Sequence, residues 1–319
     1  MPLNYKYLIT ADELSRLTGQ SVKETLTSFD KKKLIELPES NKIGIPPPLI
    51  REYLGEKGVD YSFRVIAHMN MKGGVGKTTS AISVATRAVQ YGFRTCILDM
   101  DPQACASQAF ERRPEDDELV FYDIWRQPSE GITKALKIID DHFYIIPSSL
   151  GNSLLDSDLT IPDLQKKAVQ GVCEALKVKG FDLVLIDCPP SPGAVLISTI
   201  CATDILVIPL CGEAFSFEGM ELTFNEVISI CKAFGIKPPD IKILYTKYDK
   251  RVKISGDILQ RLATKYREYL IPVPIRISTE FSKAIEKRET VFASAKKNVA
   301  RDDYDRYVKY LLKLSEIEY

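Results

Sequence analysis

The stretch RVIAHMNMKGGVGKTT, residues 64–79, sets the architecture of the chain. It opens on an apolar run of strand length, breaks at Gly73, Gly74 and Gly76, and leads directly into a helix. Glycines at those positions let backbone amides close around phosphate oxygens without side-chain clash. The helix that follows adds the positive end of its dipole. In that setting Val75 and the flanking amides line the cradle. Lys77 places an ammonium between the outer phosphates of a nucleotide, and the Thr78 hydroxyl, followed by Thr79, ligates magnesium. A glycine turn with no ligand is the bland alternative, and Gly-Lys-Thr between a strand and a helix leaves it little room.

Beyond this loop, nearly continuous apolar runs recur: TCILDMD (95–101), FYIIPSS (143–149), FDLVLIDCP (181–189), DILVIPL (204–210), KILYTKYD (242–249) and YLIPVPIRI (269–277). Runs of this kind are parallel strands covered on both faces. With amphipathic helices between them they make an α/β, doubly wound, mostly parallel sheet. The pattern changes character near residues 59–63, so residues 1–60 are expected to form a small all-α or winged domain and residues 61–319 the main one. In the front part, Thr10 with Glu13 and Ser21 with Glu24 read as capping boxes opening two short helices. Leu14, Leu17, Val22, Leu26 and Phe29 are expected on their inner faces. A third short helix follows Pro46-Pro47-Pro48.

The 319 residues hold 43 Lys plus Arg against 43 Asp plus Glu, so any basic surface is local. Hydrophobic residues at 45% and charged ones at 27% are ordinary for a soluble globular chain. Seven cysteines without a C-x-x-C pair read as reduced, buried thiols of a cytoplasmic protein, and two distant histidines argue against a zinc site. The amino terminus lacks the apolar core of a signal peptide, and no run reaches the roughly 18 apolar residues of a membrane span.

The glycine loop departs from G-x-x-x-x-G-K-T: Met71 stands at the first glycine, and Lys72 follows. This lysine-bearing loop resembles that of the ParA/MinD family of P-loop ATPases. The resemblance covers about residues 64–315. It implies ATP and magnesium as cofactors and a homodimer in which Lys72 crosses the interface to the nucleotide of the other copy. LDMDPQACAS resembles the family's D-x-D-P-Q segment, which assigns Asp101 to orienting the attacking water and accepting its proton and Asp99 to support. Asp187 ends a buried apolar strand, where a bare carboxylate is costly unless a cation compensates it. It is read as the Walker-B acid, so the magnesium site comprises Thr78, Asp101 and Asp187. IPVPIRISTEFSKA matches the family's I-P-x-x-x-R-x-S segment at Arg276 and Ser278, YTKYDKR (245–251) falls near the adenine, and CGEAFSFEGM matches the loop after Leu210.

By the same resemblance the chain is expected to partition plasmid or chromosomal DNA with a ParB-like centromere-binding protein. Its ATP-bound dimer would coat DNA without sequence preference through Arg276, Lys283, Lys287, Arg288, Lys296, Lys297 and Arg301. The front segment resembles a MerR-type winged helix-turn-helix, with Lys23 and Lys31 to Lys33 near the phosphates of an operator. Alternatives are positioning of a protein cargo, a nucleotide-sensing transcription factor, and a metabolic P-loop synthetase or reductase. The terminal YVKYLLKLSEIEY ends in Glu316 and Glu318, so it is expected to pack on the domain rather than bind a membrane.

Overall fold

The computed structural model describes residues 5–37, 41–212, 216–293 and 296–314. At the front, helices Ala11–Thr18 and Val22–Thr27 precede a small antiparallel sheet in the order β1 (Ile9–Thr10), β3 (Lys42–Ile45), β2 (Ile35–Leu37). Both expected capping boxes form, with Glu13 N–H donating to Thr10 and Glu24 N–H to Ser21. Gly19, left-handed at φ 66°, ends the first helix. Leu14 and Leu17 are buried and Leu26 and Phe29 half-buried, but Val22 stays exposed because it sits in the first turn of its helix, away from the packing face. The third helix runs Pro47–Glu56.

The main sheet has seven strands: β4 (Arg64–His68), β5 (Thr95–Asp99), β6 (Lys137–Asp140), β7 (Phe143–Ile146), β8 (Leu183–Asp187), β9 (Ile205–Cys211) and β10 (Asp240–Thr246). Their order is β10-β9-β4-β8-β5-β7-β6, parallel throughout except for β6 against β7. After β4 the chain passes over the place later filled by β8 and lays down β5 beyond it, while β9 lies on the other side of β4. A parallel sheet opens a ligand crevice at such a reversal, outside the carboxyl ends of its strands.

Several sequence expectations change. YLIPVPIRI forms no strand; it runs beside β10 with isolated bridges from Leu270 to Ile243 and from Arg276 to Tyr248, and with a few separate backbone hydrogen bonds such as Ile275 N–H to the Tyr245 carbonyl. Pro272 and Pro274 have no N–H to donate, so a continuous ladder cannot form there. The antiparallel edge strand β6 was not foreseen, since Lys137–Asp140 is short and only partly buried. Nor are all thiols buried: Cys105 is exposed.

Apolar side chains fill two layers, one on each face of the sheet. The second layer merges the front segment with the main body: Ile9, Leu14, Ile50 and Leu54, each fully buried, pack in one cluster with Ala88, Tyr91, Tyr307 and Val308. Each such aliphatic side chain contributes about 1.5–3 kcal/mol by leaving water. The seam is also ionic. Glu13 lies 2.6 Å from Arg301 and 3.2 Å from Arg87, and Arg87 pairs with Asp305 at 2.7 Å. Arg51 forks onto Asp182, and Gln90 donates to the Lys6 carbonyl. Gly92, at φ +85°, lets the third helix come close: a Cβ there would sit 2.6 Å from the Arg51 nitrogen. The helix Val299–Leu311 buries Tyr304, Tyr307, Val308 and Leu311 and packs on the body; of the terminal segment, residues 315–319, with Glu316 and Glu318, lie outside the described residues.

Candidate active site at the strand-end crevice

The loop from β4 to the helix Lys77–Gln90 is fixed from both sides by backbone groups that would otherwise be unpaired. Asn70 donates to the Pro209 carbonyl and accepts from the Lys72 N–H, each at 2.8 Å. The Thr246 hydroxyl, at the end of β10, lies 2.8 Å from the Val75 carbonyl and 3.1 Å from that of Leu210. Gly74 and Gly76 take left-handed φ of 73° and 94°, and the space beside Gly73 and Gly74 is open. The Lys77 ammonium, almost fully buried, donates to the Lys72 carbonyl at 3.0 Å. Burial lowers its pKa, while Asp187, Cys188 and Asp101 oppose that shift. Lys72 to Gly76 therefore make one continuous loop at the carboxyl end of β4, and Lys77, Thr78 and Thr79 open the helix that follows it.

Three carboxylates gather beside it because β5 and β8 pair in register, Asp99 opposite Asp187. Asp187 is fully buried, and neither of its oxygens has a hydrogen bond of good geometry among the described residues. Burial and the neighbouring Asp99 raise its carboxyl well above the ordinary range. The Thr78 hydroxyl, although outside good hydrogen-bond geometry, opposes this, Asp101 adds to it, and Lys77 also opposes it. An orphaned buried carboxylate beside a lysine and a threonine hydroxyl is where a magnesium–phosphate unit would restore the balance. No group of three His, Cys, Asp or Glu able to hold a metal stands among the described residues. Magnesium here would draw most of its ligands from phosphate and water, its usual habit. The residues present fit a nucleotide with magnesium.

Asp99 is held by its own hydrogen bonds. One oxygen accepts from the Ser107 N–H at 2.8 Å and the Ser107 hydroxyl at 2.7 Å. Burial moves its pKa up to about 6 against those bonds, and Asp101 pushes the same way. Those bonds fix the short helix Cys105–Ala109 and, through the strained left-handed Ala104 (φ 54°), the loop bearing Asp101. Asp101 is half-buried and accepts from the Gln103 N–H at 2.9 Å. Ser107 in turn accepts from the Ser148 N–H, and Asn152 donates to Ser148. None of these stood out in the sequence, because a buried serine or asparagine carries no local signature. Nor did Asn70.

The expected basic surface divides. Arg276 forks onto the buried Asp303 at 2.8 and 2.6 Å yet keeps 40% of its side chain exposed. Ser278 accepts from the Glu280 N–H. Lys283 pairs with Glu280 and Arg288 with Glu111. Lys287, Lys296, Lys297, Lys23 and Lys31 are exposed. Arg301 is corrected: only 6% of its side chain is exposed, because Glu13 and the Phe292 carbonyl hold it in the seam. The segment YTKYDKR begins in the last two residues of β10, where Thr246 meets the glycine loop, and leaves the strand at Lys247, left-handed at φ 53°. In CGEAFSFEGM, residues 213–215 lie outside the described residues. Among the described residues no helix is long and apolar enough to cross a membrane.

Comparison with known proteins bears on this geometry. Residues 63–243, more than half of the chain, match the AAA domain family. The chromosome-partitioning ATPase Soj of Thermus thermophilus is 28% identical over 225 residues, covering 67% of this chain and 83% of Soj. The cell division protein PomZ of Myxococcus xanthus is 25% identical over 244 residues, 76% of each chain. A solved structure of cobyrinic acid a,c-diamide synthase from Mycobacterium smegmatis, with bound ADP and magnesium, superposes with a TM-score of 0.63 at 25% identity. It covers 79% of this chain and 94% of the synthase. The family match, the lysine-bearing glycine loop and the buried Asp187 agree: the chain belongs to this AAA-domain family as a P-loop ATPase of the ParA/Soj type, with ATP and magnesium as its cofactors.

Proposed function

We propose that this ATPase partitions plasmid or chromosomal DNA, in the cytoplasm and on the nucleoid, together with a ParB-like centromere-binding partner. In this reading Lys77 and the glycine amides hold the outer phosphates. Lys72 reaches across a two-fold interface to the nucleotide of a second copy, so that triphosphate binding becomes dimerisation. Asp101 orients the attacking water and takes its proton. Magnesium, held through Thr78 and Asp187, would offset the charge that develops on the phosphoryl group. The dimer adheres to DNA without sequence preference through exposed cations, Lys283, Lys287, Lys296, Lys297 and Arg276 among them, doubled in number by the two-fold axis. Hydrolysis is slow alone and hastened by the cargo-bound partner, after which the copies part. Residues 1–60 act as a winged helix-turn-helix that grips an operator through Lys23 and Lys31. The observation that carries the reading is the uncompensated Asp187 facing Lys77 and Thr78 at a loop that also bears Lys72.

A second reading, positioning of a protein cargo, gains support from the likeness to a cell division protein. What co-purifies with Asp101→Ala separates the two: centromere DNA with its binding protein, or a protein assembly. Likeness to a synthase adds little to a metabolic reading, since the shared region is the nucleotide-binding fold. The main test is retention of the protein on random duplex DNA with ATP and magnesium. Wild type should be retained, Lys77→Ala should not, and Asp101→Ala should persist on DNA without turnover. Rapid hydrolysis by Asp101→Ala, or wild type that ignores DNA, defeats the proposal.

A further inference from the structure

Away from the nucleotide, the seam between the front segment and the last helix opens into a cleft of about 140 Å³. Six cations line it: Arg16, Lys42, Arg87, Lys297, Arg301 and Lys309. Only three carboxylates face them, Glu13, Asp302 and Asp305, which leaves an excess of three positive charges. The charges are sorted by depth. On the floor, Glu13 sits between Arg87 and Arg301, and Asp305 reaches both Arg87 and Lys309. Two carboxylates thus hold three cations in place. On the rim, none of the ion pairs among the described residues involves Arg16, Lys42 or Lys297. The remaining carboxylate, Asp302, is exposed.

These rim cations come from distant parts of the chain. Arg16 lies in the last turn of the first helix, Lys42 opens β3, and Lys297 precedes the helix Val299–Leu311. They converge only because the front segment docks on the body. Such an arrangement gathers positive potential that salt screens weakly at its buried base. The volume falls well below the roughly 300–1,000 Å³ of small-molecule sites, which favours one anionic group over a whole nucleotide.

We propose that this cleft seats one phosphate of the duplex-DNA backbone, making the junction of the two parts of the chain a DNA contact in its own right. The donors are side chains on an open rim rather than a closed nest of backbone amides, which suits a phosphodiester that must slide in and out. The same front segment also exposes Lys23 and Lys31 to Lys33. The source of the phosphate rests on the partition reading; the place goes beyond it.

The test compares wild type with Arg16→Gln/Lys42→Gln, and with Lys42→Gln alone as a second, milder variant. Affinity for random duplex DNA is measured across salt concentrations with ATP and magnesium present. Removing one phosphate neutralisation from each copy should flatten the slope of log affinity against log salt by about 0.9 per copy, near two per dimer. ATP-dependent mass and DNA-free ATPase rate should stay unchanged. An unaltered slope in both variants overturns the proposal. In parallel, inorganic phosphate is titrated by phosphorus NMR with the glycine loop filled by ADP and magnesium. Binding that is the same in wild type and variants refutes the cleft whatever DNA does. If wild type ignores DNA yet loses phosphate binding in the variants, the DNA source falls together with the partition reading, and the cleft survives as a free-phosphate site.

Discussion

Replacing Glu13 with Gln should destabilise the whole chain, and by an amount the seam allows to be worked out. Glu13 has 12% of its side chain exposed and faces Arg87 and Arg301, at 2% and 6%. Burial alone would raise its carboxyl, but the two guanidiniums and the Thr10 N–H reverse that and hold it at about 2 rather than 4.5. That difference converts to roughly 3 kcal/mol of stability at neutral pH. Breaking a buried pair by removing one partner costs about 3–5 kcal/mol by a separate route, and Asp305, still bound to Arg87, keeps the figure at the low end. A depressed carboxyl contributes fully above its unfolded value, and the contribution is lost as pH falls through its folded one. Glu13 should therefore stabilise the fold fully above about pH 5, and the penalty of Glu13→Gln should shrink by more than half near pH 3. Urea unfolding of both proteins at several pH values reads the effect. A neutral-pH difference under about 0.5 kcal/mol, or one indifferent to pH, would show that Glu13 does not tie the seam together.

Further outcomes follow from the same packing and hydrogen bonds. Gly92→Ala puts a Cβ against the Arg51 backbone and forces an alanine into left-handed φ, so it should cost at least about 2 kcal/mol in urea unfolding. Thr246→Val removes the single hydroxyl proton shared between the Val75 and Leu210 carbonyls and should cost about 1–3 kcal/mol while weakening ATP several-fold by calorimetry. Asp187→Asn removes a buried carboxyl whose ionisation the fold opposes, so at neutral pH it should raise the nucleotide-free melting temperature while weakening magnesium-dependent ATP binding. A less stable nucleotide-free variant would mean that this carboxylate is compensated without magnesium.

Much of the sheet was legible because buried parallel strands leave apolar runs, and each of the six runs from β4 to β10 other than β6 yields a strand. YLIPVPIRI misled because its apolar content is right while its two prolines deny the ladder. β6 escaped because a short, half-buried edge strand has neither a continuous run nor clean alternation. The glycine loop between β4 and its helix could be located from the sequence, since glycine, lysine and threonine at that spacing have a local chemical reason. Its supports could not: Asn70, Thr246 and Ser107 act through partners many residues away, which only the folded chain brings near. The seam was invisible for the same cause. Glu13 reads as the third residue of a capping box, which it is, and nothing nearby announces Arg87 and Arg301 as its other partners.

The sharpest single experiment is the mass of the protein in solution with a non-hydrolysable ATP analogue and magnesium. A triphosphate shared through Lys72 predicts twice the 35.9 kDa of one chain for wild type. Lys72→Ala should remain at the single mass while still taking up nucleotide. Wild type that stays at 35.9 kDa with its glycine loop saturated would leave Lys72 without the role given to it here.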